Sequence, residues 1–132
     1  MPRKTDASNP ADWIWICESD HEGVAALAKS ELSYELCRGK LAEIIEKVLK
    51  AELIRSGWTL VKTHDLEVRA RELSSRDAAL ALDFKPLVAA YAEVYFHSRY
   101  PSYDLEDANW PAFREHVARV GELLQKVKAR IV

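Results

Sequence analysis

The chain has 132 residues, 48% hydrophobic and 30% charged, with a formal net charge of −2. That is enough apolar material for one buried core, and it excludes an intrinsically disordered chain. It also excludes a global positive field that draws nucleic acid or anionic lipid, while leaving a local basic patch open. Met1-Pro2-Arg3-Lys4 leads into polar residues with no apolar core region, so no signal peptide is read and the expected location is cytoplasmic. No apolar run reaches membrane-spanning length, and no membrane partner is expected.

Residues 1–8 read as a flexible polar terminus ahead of a single domain over 9–132. Asn9-Pro10 starts the first helix: asparagine caps, proline suits the first helical position, and Asp12 complements the dipole. This helix is expected to run to about Lys29 and to bury Trp13, Ile16, Cys17, Val24, Leu27 and Ala28, leaving Trp15 exposed or covered by another subunit. A short turn over Ser30–Ser33 follows, with Ser33 as the expected cap of the second helix. So short a link implies an antiparallel hairpin.

The second helix, over Leu36–Ile54, is the organising element. Cys37, Leu41, Ile44, Ile45, Val48, Leu49 and Ala51 recur in steps of three and four on one face. Arg38, Lys40, Glu43, Glu46, Lys47, Lys50 and Glu52 are expected mostly on the other. Gly57 is its natural stop, since glycine accepts the left-handed conformation without penalty. Trp58 to Lys62 reads as an extended loop anchored by Trp58 and Leu60.

Thr63-His64-Asp65-Leu66 opens a third helix, with Thr63 as cap and Asp65 in the first turn; Ser74-Ser75 is expected to end it near Leu73. A short helical piece over Arg76–Leu82 precedes a new start at Asp83-Phe84-Lys85-Pro86. The helix after it carries Leu87, Val88, Tyr91, Val94 and Tyr95 inward, to a stop at Arg99-Tyr100-Pro101. An acidic loop with Asp104, Glu106 and Asp107 leads to Asn109-Trp110-Pro111, the start of the last helix. Its seam is Phe113, Val117, Val120, Leu124, Val127 and Ile131. No segment reads as a paired strand, so the fold class is all-α, an antiparallel up-and-down bundle of four to five helices.

Cys17 and Cys37 fall on apolar stripes and read as buried thiols. Neither has a second cysteine or histidine at ligand spacing, nor do His21 and His97, so no metal and no cofactor is expected.

Three strings stand in order along the chain: Glu46-Lys47-Val48-Leu49-Lys50-Ala51 late in the second helix, Thr63-His64-Asp65-Leu66 opening the third, and Arg99-Tyr100-Pro101 closing the fourth. With the first helix, this order resembles the HEPN domain, from about Trp13 to Arg130. The resemblance implies a four- to five-helix bundle that usually pairs with itself. It also implies a minimal nucleotidyltransferase as a frequent partner and roles in toxin–antitoxin or defence systems. HEPN domains that cut RNA share an arginine and a histidine separated by four to six residues. After Arg99 those positions hold Asp104, Leu105 and Glu106. Arg114 has His116 only two residues on, and Arg55 lies too far ahead of His64. The usual RNase signature is absent from this string.

The family's arrangement implies that Lys47, Lys50, His64 and Arg99 gather into an anion-binding patch for a nucleotide phosphate or an RNA backbone, with Asp65 and Tyr100 beside it. A plainer reading has Glu43 and Glu46 pairing with Lys47 and Lys50 on a solvated face. In it, His64 fixes the loop after Trp58 and Asp65 merely compensates the dipole. Tyr100, Tyr103 and Trp110 either stack on a base or seal a bundle end or a dimer seam. The leading expectation is a nucleotide- or RNA-binding or accessory domain. The alternatives are a metal-independent RNase, with Arg99 and His64 or His116 as a composite site, and a purely structural dimerisation module.

Overall fold

The computed structural model describes residues 3–59, 65–94, 101 and 107–131. These form five helices and, among the described residues, no strand: α1 (Pro10–Lys29), α2 (Tyr34–Arg55), α3 (Leu66–Arg76), α4 (Ala78–Tyr91) and α5 (Trp110–Arg130). The all-α expectation holds. Leu60, Thr63, His64, Tyr95, His97, Arg99, Tyr100, Tyr103, Asp104 and Glu106 lie outside the described residues.

α1 begins as its sequence requires. Asn9 Oδ1 accepts the Ala11 amide at 3.0 Å, and Pro10 loses no needed bond. Asp12 does more than complement the dipole. It is buried, taking the Arg3 guanidinium and the Asp6 amide (2.8 Å), which together hold its carboxyl below the usual carboxylate range. The buried stripe differs from expectation: it is Ile14, Cys17, Val24 and Ala28, with Trp13, Ile16 and Leu27 only partly covered. The helix is rotated so that the Trp13 ring lies at the edge of the bundle, where Lys50 sits 4.8 Å from its centroid. Trp15 is exposed, as expected.

Ser33 does not cap α2 through its side chain. Its backbone is left-handed (φ 55°), whereas a side-chain cap needs an extended residue to aim the hydroxyl at the first-turn amides. The hairpin is antiparallel: Trp13 meets Lys50, while farther along α1 the Cys17 thiol reaches the Ile44 carbonyl. At the far end Gly57 adopts φ 96°. The Trp58 amide reaches back to Leu53 O (2.9 Å) and the Gly57 amide to Ile54 O (3.0 Å), closing a Schellman turn.

The expectation of a two-faced α2 is corrected. α2 touches each of the other four helices, so Gly39, Ala42, Glu46, Glu52 and Leu53 are buried along with the predicted stripe. Two acids inside the bundle require cations, and both have them. Glu52, 1% exposed, takes Arg55 Nη2 at 2.7 Å and Arg130 Nη1 at 2.9 Å. Arg130 also binds Asp77 at 2.9 Å, tying the end of α5 to the start of α4.

Two helix boundaries move. Ser74-Ser75 does not end α3: Ser75 Oγ donates to Glu72 O at 2.8 Å, so its hydroxyl is absorbed within the helix. The break falls at Asp77, the single residue between α3 and α4. Its amide donates to Leu73 O (2.7 Å) and its carboxylate accepts the Leu80 amide (3.0 Å). The expected start at Asp83 is likewise corrected, because α4 runs unbroken through Pro86. Pro86 and Leu82 are both exposed, so the carbonyl that proline leaves without an amide is on the wet side, where water serves it. Asp83 pairs instead with Lys126 at 2.8 Å.

α5 starts at the Asn109 cap, which accepts the Ala112 amide at 3.1 Å, and buries Phe113, Val117, Val120, Leu124 and Val127 as expected, with Leu123 in addition. It runs antiparallel to α1, with Arg114 at Ala28 O and Lys128 at Glu18. Against α4 it is also antiparallel, Tyr91 meeting His116 and Asp83 meeting Lys126.

Candidate functional site

Of the six residues expected to bind a ligand, Lys47, Lys50 and Asp65 lie within the described structure, and His64, Arg99 and Tyr100 lie outside it. Lys47 Nζ is 3.3 Å from Asp20 on α1. Lys50 Nζ is 3.2 Å from Glu46 Oε1 and over the Trp13 ring. Asp65 is itself the cap of α3, its carboxylate accepting the Glu67 (2.9 Å) and Val68 (3.3 Å) amides. Asp65 accepts those amides from one residue outside the helix, which corrects its expected place in the first turn.

Sequence reasoning did not foresee Arg69. It is 1% exposed, donates to Glu46 Oε1 at 3.3 Å, and has its guanidinium carbon 5.6 Å from the Trp58 centroid. Burial lowers its pKa, opposed by Glu46. Trp13, Lys50, Glu46, Arg69 and Trp58 thus form a continuous row of ring, cation, acid, cation, ring across α1, α2 and α3. The row joins three helices and satisfies a buried carboxylate.

A different cluster opens to solvent. Where the start of α2 meets the end of α4 and the first turns of α5, Tyr34, Arg38, Tyr91, Asn109 and His116 line a cleft of about 250 Å³. Tyr91 Oη and His116 Nδ1 are 2.8 Å apart. Burial pushes the phenol well above its ordinary pKa and pushes the imidazole below its own, so both are neutral at neutral pH. A phenol hydroxyl both donates and accepts, so this bond forms with either neutral tautomer of the ring. Arg38 supplies positive charge, its guanidinium carbon 5.6 Å from the Tyr34 centroid. Its own acid, Glu35, is 3.5 Å away and half out in water, a pairing worth under about 1 kcal/mol. Trp110 meets Tyr34 edge to face at 5.1 Å and Phe113 at 5.9 Å, closing the wall behind the cleft. The Arg38 guanidinium, the His116 imidazole and the positive end of the α5 dipole therefore border one small space, a setting that favours an anion, although Pro111 has no amide proton and the Ala112 and Phe113 amides are already taken by Asn109.

The sequence signal for this cleft was thin. His116 was singled out in the sequence as a partner for Arg99 in a composite RNase site and not for Arg38 or Tyr91, and Arg38 and Tyr34 are polar positions in a helix start. Among the described residues no three His, Cys, Asp or Glu side chains gather as a metal site. Both thiols are free and buried.

No curated protein and no solved structure matches the chain. The HEPN domain family matches residues 11–130. That span takes in α1 through α5 nearly entire, and its all-helical architecture is the one described above; the chain belongs to the HEPN domain family.

Proposed function

We propose that this HEPN domain binds a nucleotide or RNA through phosphate, at the cleft of Arg38, Tyr91 and His116, and serves as a binding or accessory module in a toxin–antitoxin or defence-type system. The observation that carries the reading is the convergence of a weakly paired arginine, an imidazole held by a buried phenol, and the start of a 21-residue helix on one opening. Binding is favoured over cleavage because Asp104, Leu105 and Glu106 stand where a cutting member would carry its histidine after Arg99. Self-pairing is part of the proposal, with exposed Trp15 as a residue a second copy would cover.

Calorimetric titration of the purified chain with ATP, GTP and short RNA tests it. An arginine–phosphate contact contributes about 1.5–3 kcal/mol, so Arg38→Ala is expected to weaken binding roughly 10- to 100-fold. His116→Ala should weaken it less. No heat from any of the three ligands removes the binding reading. Incubating structured RNA with the chain and with His116→Ala tests the cleavage alternative, which requires cleavage that this substitution abolishes.

A further inference from the structure

We infer that the groove between α3 and α4 is a docking site for an amphipathic helix of another protein with acidic residues flanking its apolar stripe. The groove encloses about 520 Å³ and shares no lining residue with the cleft of Arg38, Tyr91 and His116. Its two walls are helical stripes. α3 contributes Glu67, Ala70, Arg71 and Ser74, and α4 contributes positions 78, 81, 82, 85, 88 and 89. Each recurs at three and four residues, the register that a third helix lying in the channel would read.

The floor is made of small side chains, chiefly Ala70, Ala78, Ala81 and Ala89, which let a helix approach closely. Leu82 stands in the groove 66% exposed, an apolar anchor point with no cover among the described residues. The α4 wall spans about 16 Å at 1.5 Å per residue, matching roughly three turns of a guest helix.

Charge selects the guest. Arg71 and Lys85 both line the groove, and neither has an acid within ion-pair distance among the described residues. Neighbouring cations are already matched: Arg76 with Glu72 at 2.9 Å and Lys126 with Asp83 at 2.8 Å. Glu67, one turn before Arg71, closes no ion pair with it. One cation stands on each wall, Arg71 on α3 and Lys85 on α4, so a helix with leucines towards Leu82 and glutamates on both sides of that stripe meets a positive charge from either wall.

The test uses the full chain and two fluorescein-labelled peptides of about 16 residues. They share one leucine stripe, flanked by glutamate in one and lysine in the other. Anisotropy is expected to show the glutamate peptide binding at least tenfold more tightly than its lysine twin, with binding lost in Leu82→Glu. In Arg71→Glu/Lys85→Glu the preference should reverse. All three substituted positions lie on the surface, and circular dichroism should show unchanged helix content in both variants. Equal binding of the twins, no binding of either, or a preference that the charge reversal leaves intact would overturn the inference. So would sedimentation showing that the chain self-associates and that Leu82→Glu alone makes it monomeric, which would give the groove to a second copy.

Discussion

Substituting Gly121 tests how closely α1 and α5 are fitted. His21 Nε2 lies 2.8 Å from Val117 O, and since a carbonyl only accepts, that nitrogen carries the ring proton. The imidazole lies over Gly121, where an added β-carbon would stand 3.0 Å from Cε1 and 3.1 Å from Nε2. Two effects oppose each other in Gly121→Ala. Alanine is favoured over glycine in a helix interior by about 0.8–1 kcal/mol. The crowded ring must shift, giving up a hydrogen bond of about 1 kcal/mol. The two nearly cancel, and Gly121→Ala should fall within about 0.5 kcal/mol of the unsubstituted chain. In a His21→Ala background the crowding is gone. The same substitution should then stabilise by about 1 kcal/mol, a rise of roughly 4 °C in Tm. Urea unfolding of the four members of this cycle, followed by circular dichroism, measures a coupling of about 1 kcal/mol. Equal stabilisation in both backgrounds would show that the ring does not rest on the glycine, and would refute the packing described.

Asp65→Ala removes the acceptor of two first-turn amides and should destabilise the chain by about 1 kcal/mol, read from the urea midpoint; Asp65→Asn should recover most of it. Stability should also depend on pH in two stages. His116 has a folded pKa below its unfolded value near 6.5, so its contribution is complete above that pH and is lost as pH falls towards the lowered value. Asp12, held down by Arg3 and the Asp6 amide, and Asp77, held down by the Leu80 amide and Arg130, have depressed carboxyls. Their contributions are present above about pH 4 and disappear as pH falls further. Thermal melts across pH 3–8 should show both stages, with the upper one missing in His116→Gln. Burial pushes the Cys17 thiol up to about 12 and raises Cys37 as well, so a thiol reagent should leave Cys17 unmodified in the native chain and modify it in urea. Rapid labelling of Cys17 without denaturant would contradict the burial.

The sequence made the helices and their ends legible wherever local chemistry decides. Asn9-Pro10, Gly57 and Asn109 each set a boundary through one side chain or one backbone preference, and each holds in the structure. It was misleading where tertiary contact overrides local preference. Pro86 looks like a helix start, yet its missing amide is harmless on a wet face. Ser74-Ser75 looks like a break, yet the Ser75 hydroxyl finds a carbonyl within its own helix. The charged positions of α2 look like a solvent face, but five-helix packing turns Glu46 and Glu52 inward, towards Arg69 and Arg130 from distant stretches of chain. The cleft was hidden for the same reason. Arg38, Tyr91 and His116 come from three helices, and no spacing along the chain links them.

The position of α2 has a consequence for how the molecule opens. Every other helix rests on it, so its amides can exchange with deuterium only when the whole assembly comes apart. Among the described residues the α3–α4 hairpin does not pack on α1, is hinged on the lone Asp77, and leans on α2 and the edge of α5. It is the natural unit of partial opening, and its protons should be replaced long before those at the centre.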